Sequence, residues 1–142
     1  MRARVAIACL LGLLCVPALA FAAGFTGTKT LTTTMSGKNE VPKGAPKGSG
    51  KAVFTLDASK GKVCWKFSSI KGISKVTASH IHKGAKGTSG NVVVPLFTGA
   101  LKMKGCVKAA KSLIRAIEKH PAGYYANIHT VKYPAGAIRG AL

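Results

Sequence analysis

The chain has 142 residues, with 22 lysines and arginines against three acids and a formal charge of +19. So few acids leave no paired carboxylates for glycoside cleavage, and lysines spread along the chain without interleaved aromatics do not make a nucleic-acid groove. Such a surface attracts anionic polymers in a salt-dependent way.

Residues Met1 to Ala20 read as an export signal: Arg2 and Arg4, the apolar run Val5–Val16, then the small-x-small site Ala18-Leu19-Ala20. Ala20-Phe21-Ala22 offers a second cut. The run is too short for a stable spanning helix, so no transmembrane segment is expected after cleavage. A single domain is expected over residues 24–142, in the periplasm or outside the cell. Cys9 and Cys15 leave with the signal, and Cys64 and Cys106 remain. An even pair in an exported chain predicts one disulfide.

Lys29 to Met35 is Thr-rich and β-prone. Lys43 to Gly50 is a loop rich in Pro, Gly and Lys. Ala52, Phe54 and Leu56 mark a half-buried strand, and Asp57 to Gly61 a hairpin turn. The next strand buries Val63, Trp65 and Phe67 and turns Lys62, Cys64 and Lys66 outward. A covering loop bearing Cys106 is then expected to reach Cys64. Val76–His82 and Val92–Phe97 are further strands, joined by the Gly- and Lys-rich loop from Lys83 to Asn91. The period of 3.6 occurs once: Ala110, Leu113, Ile114 and Ile117 predict a helix from Lys108 to His120, stopped by Pro121. Tyr124–Val131 and Ala137–Leu142 close the chain as a hairpin. The pattern is all-β, an antiparallel β-sandwich or Greek-key barrel with one short helix as a crossover decoration.

The chemistry concentrates in Ser79-His80-Ile81-His82 and Asn127-Ile128-His129-Thr130. Strand alternation puts His80 and His82 on one face, and Asn127 and His129 likewise. Three imidazoles from two strands are a ligand set suited to copper or zinc, with a position left open. The same residues also suit a structural polar cluster in which Asn127, Thr130, Glu40 and Arg139 satisfy the rings. A Glu40–Arg139 pair would then clamp the start of the domain to its end. Ser79 and His80 face opposite ways, which disfavours a Ser–His dyad, and no Gly-rich loop opens a helix to cradle phosphate. The His-x-His strand is similar in part to that of copper–zinc superoxide dismutase, whose remaining ligands are missing. No enzyme activity is expected.

Several segments together carry a family resemblance: Gly37-Lys38-Asn39-Glu40-Val41-Pro42, Gly48-Ser49-Gly50-Lys51-Ala52, Ser79-His80-Ile81-His82-Lys83-Gly84 and Gly90-Asn91-Val92-Val93-Val94-Pro95-Leu96. Pro121 to Thr130 and Tyr133 to Gly140 complete the set. In this order and spacing the chain resembles the CHRD domain, first described in chordin and also found singly in exported bacterial proteins. Lys83 and Ala135 depart from glycines usual in that family. In chordin the domain belongs to an extracellular antagonist of bone-morphogenetic-protein signalling. For a single-domain exported protein the resemblance implies a binding or structural module of the envelope or extracellular space, without indicating a ligand. Anionic envelope or extracellular polymers are the partners the charge suggests; specific nucleic-acid binding is not expected.

Overall fold

Apolar side chains at alternate positions make strands that bury one face, and this periodicity governs most of the chain. The computed structural model describes residues 27–142; the export signal expected over Met1–Ala20 lies outside the described residues. Eight strands follow in order: β1 (Lys29–Ser36), β2 (Ser49–Asp57), β3 (Lys62–Lys71), β4 (Val76–Lys83), β5 (Val92–Thr98), β6 (Lys104–Lys108), β7 (Tyr124–Thr130) and β8 (Ile138–Ala141). One helix, α1 (Lys111–Lys119), lies between β6 and β7. All pairings are antiparallel, in the order β5-β4-β7-β8-β1-β2-β3-β6. The single sheet curls into a nearly closed barrel with β5 and β6 as its two edges.

Inward residues from nearly every strand fill the barrel: Met35, Phe54, Leu56, Phe67, Ile81, Ile128 and Ile138 are all essentially inaccessible. Aromatic contacts draw the two ends of the sheet together. The Phe97 ring from edge strand β5 lies 6.1 Å from Trp65 and 6.4 Å from Phe67, both on β3. The Asp57 turn is built as its sequence suggests. Ser59 Oγ and the Lys60 amide donate to its carboxylate at 2.6 and 2.9 Å, and Gly61 takes φ +60°.

The structure corrects the sequence reading between Leu101 and Ala110. Lys104–Lys108 is not a covering loop or the start of the helix but strand β6, paired with β3 in register Cys106 to Cys64. The helix therefore begins at Lys111, three residues later than the apolar periodicity suggests. Nor is it a decoration: Ile114 and Ile117 are fully buried in the main core. Cys64 and Cys106 form the disulfide as directly opposed residues of neighbouring strands, with Cα atoms 4.0 Å apart. Among the described residues no helix is long and apolar enough to cross a membrane.

Candidate metal centre

Alternation on β4 and β7 decides what faces where. Ser79, Ile81, Ala126 and Ile128 point into the barrel and are fully buried. His80, His82, Tyr125, Asn127 and His129 therefore stand on the outer wall. The register places His80 opposite Asn127, His82 opposite Tyr125, and Ala78 opposite His129. On the other side of β4, edge strand β5 slips register twice, between Ser79 and His80 and between Ile81 and His82. Bulges of this kind re-aim side chains and recur beside functional sites. Pro95, opposite His80, is tolerated because β5 is an edge.

Loops roof this patch. His82, buried, directs Nδ1 to the carbonyl of Gly90 at 2.8 Å, and its Nε2 lies 3.0 Å from Asn127 Oδ1. His129 directs Nδ1 to the carbonyl of Pro134 at 2.9 Å. A carbonyl only accepts, so the His129 ring carries its proton on Nδ1 and a lone pair on Nε2, whereas the His82 ring stands between two acceptor oxygens. His80 Nδ1 approaches His129 Nε2 at 3.1 Å and donates to that lone pair. The candidate ligand nitrogens of all three histidines lie within 4.8 Å of one another. Fixing a ring by Nδ1–H to a backbone carbonyl is the usual way proteins orient a metal-binding imidazole.

Electrostatics keep two of the rings neutral. Burial holds the His80 imidazole down at about 4, helped by repulsion from His129 and His82. Burial also lowers His129, partly offset by its bond to Pro134. Neutral imidazole is the form that binds metal.

The nitrogens are close to, but not at, coordination distance. Bonds of 2.0–2.1 Å in tetrahedral geometry put ligand atoms about 3.3–3.4 Å apart. The His80–His129 pair already spans 3.1 Å. A separation of up to 4.8 Å elsewhere in the trio requires a ring to close by about 1 Å or more onto an ion.

Behind the histidines runs a second layer. The Arg139 Nε donates to Glu40 Oε2 at 2.8 Å, both side chains almost fully buried. Arg139 Nη1 donates to the Thr88 carbonyl at 2.6 Å, and its guanidinium lies 3.8 Å over the Tyr125 ring. Tyr125 in turn stacks on His82, with planes 7° apart and centroids at 4.8 Å. Burial pushes the Glu40 carboxyl up, against the pull of Arg139. Glu40 lies in the loop between β1 and β2 and Arg139 lies on β8, so the pair ties the start of the domain to its end.

Of the residues singled out in the sequence, the structure brings together His80, His82, His129, Asn127, Glu40 and Arg139. Thr130 is not among them. It has the inward parity of β7, and its hydroxyl accepts from the Tyr133 amide at 3.0 Å in the following turn. His120 lies outside the trio as well. Sequence reading missed Tyr125 and the carbonyls of Gly90 and Pro134. Tyr125 was within reach, since it shares the face of Asn127 and His129 at two-residue spacing.

The model of the family described as CHRD domain matches residues 31–142, from β1 to the C-terminus. The chain belongs to the CHRD family. All three histidines, Asn127 and the Glu40–Arg139 pair lie inside the matched region of this CHRD domain. No curated protein and no solved structure matches it.

Proposed function

We propose that this CHRD domain is an exported metal-binding module in which His80, His82 and His129 hold one copper or zinc ion. The observation that carries the reading is the convergence of the three rings, whose candidate ligand nitrogens lie within 4.8 Å of one another. His129 gives its Nδ1 proton to a backbone carbonyl, so its Nε2 lone pair faces His80, while the His82 ring is held between the Gly90 carbonyl and Asn127 Oδ1. An ion would take the place of the proton now shared between His80 and His129. Three imidazole nitrogens with a position left for water or an external ligand suit copper and zinc, and the general affinity order favours Cu²⁺ over Zn²⁺. The reading is one of binding, not of catalysis. Export is supported by the signal-like start and by a disulfide, which persists in oxidising compartments.

One observation favours a second reading, a purely structural cluster: the Asn127 amide engages the very nitrogen of His82 that an ion would need. Titration of untagged, chelator-stripped protein with Cu²⁺ and Zn²⁺ separates the two. The metal reading expects one ion per chain, a tighter site for Cu²⁺, and loss of that site in His82→Ala. His80→Gln keeps a donor for His129 and leaves the buried ring in place, so it tests the ligand without testing the fold. Equal uptake by wild type and both variants would rule the site out.

A further inference from the structure

The opposite half of the barrel carries an arrangement that the metal site does not use. On β3, Lys62, Cys64 and Lys66 point outward; on β6, Lys104, Cys106 and Lys108 do the same. The register sets Lys62 against Lys108, Cys64 against Cys106 and Lys66 against Lys104. All four lysines are exposed. Like charges directly opposite on paired strands are destabilising, and here two such pairs sit on a five-residue edge strand. The disulfide between them holds that strand in register against the repulsion. None of the four is neutralised within the fold: the ion pairs among the described residues are Lys60–Asp57 and Arg139–Glu40. Charges opposed in pairs, unpaired internally and covalently held at the spacing of neighbouring strands are complementary to an anionic chain lying across them.

From the Lys66–Lys104 pair to the disulfide runs a shallow depression floored by Val53 and Thr55. We propose that this face docks a linear acidic polysaccharide, with its anionic groups on the lysine pairs and its sugar faces on that weakly apolar floor. The two pairs are about 13 Å apart along the strands and about 5 Å wide across them, so only an extended chain meets both. The other polyanions fit less well. Trp65 borders the depression but is 5 % exposed and packed under Gly105, so it offers no free ring on which bases could stack. Its charges are flexible lysines, not the arginine forks that grip phosphate in two places. Met103 is the one exposed large apolar side chain next to it in sequence, too little for insertion into a bilayer.

Binding of the oxidised full-length mature chain to alginate, a polyuronate, tests this at two salt concentrations. The comparison is between wild type, the variant Lys62→Gln/Lys66→Gln/Lys104→Gln/Lys108→Gln, and a control variant Lys38→Gln/Lys43→Gln/Lys47→Gln/Lys86→Gln with the same charge change at exposed lysines away from β3 and β6. The expected result is at least a tenfold greater loss for the first variant than for the control, with a salt dependence shallower by about three to four ions. Lys66→Gln/Lys104→Gln alone should lose about half of that on a logarithmic scale. Equal losses in both fourfold variants would reduce the effect to net charge and overturn the proposal. So would wild-type binding to anionic vesicles or single-stranded DNA with none to alginate, or no binding at low salt.

Discussion

Removing one member of the buried Glu40–Arg139 pair should cost far more than removing both. The two side chains are almost inaccessible and 2.8 Å apart, so Glu40→Gln leaves the guanidinium desolvated without a counter-charge. Breaking such a pair from one side costs about 3–5 kcal/mol. Arg139→Met should cost at least as much, because it also removes the bond to the Thr88 carbonyl and the stacking on Tyr125. The double variant no longer strands a charge, and an apolar replacement of a buried pair is often close to neutral. Its cost should therefore fall below that of either single variant, and so below the sum of the single costs by at least about 3–5 kcal/mol. At about 3–6 °C per kcal/mol for a domain of this size, each single variant should melt about 9–30 °C below wild type. The assay is urea unfolding of all four proteins followed by far-UV circular dichroism, analysed as a double-mutant cycle. Additive costs, or single costs under about 1 kcal/mol, would show that the pair is not a clamp and that its burial is compensated elsewhere.

The metal-free protein should lose stability as pH falls from about 6.5 toward 4, because His80 is held neutral to about 4 in the fold and gains its proton near 6.5 once unfolded. A half-exposed ring should contribute about 1–2 kcal/mol to this loss, seen as a flatter pH–stability curve for His80→Gln; parallel curves would refute it. Reduction of the Cys64–Cys106 bridge should destabilise the domain by about 2–4 kcal/mol, with β6 amides losing hydrogen-exchange protection first; uniform loss across the sheet would contradict an edge-strand role. A Cβ at Gly105 would meet the Trp65 ring at 2.4 Å, so Gly105→Ala should cost about 1–3 kcal/mol and shift the fluorescence of the single tryptophan. An unchanged spectrum would mean that the ring is not packed against β6.

Most of this architecture is legible in residue periodicity, and the histidine geometry follows from it directly. A strand has only two faces, so His80 with His82 and Asn127 with His129 were fixed in pairs before any coordinates. That the two segments are neighbours is a fact of pairing order, which the pattern suggests and the register settles. Thr130 lies away from the cluster for the same reason that His129 lies in it, since one step along a strand turns a side chain to the other face. The strand β6 was hidden because Lys104-Gly105-Cys106-Val107-Lys108 is short, partly exposed and carries a glycine, all of which lower strand propensity. Its pairing is sustained by the disulfide and by Gly105 leaving room for Trp65, both tertiary facts. The roof carbonyls of Gly90 and Pro134 belong to loops, and backbone acceptors leave no mark in residue type.

X-ray absorption at the metal edge of the copper-loaded, untagged protein tests the central claim most directly. The account predicts one ion per chain with three imidazole nitrogens at about 2.0–2.1 Å, reduced to two in His80→Gln. A shell of oxygen ligands alone, or a nitrogen count unchanged in His80→Gln and His82→Ala, would contradict it.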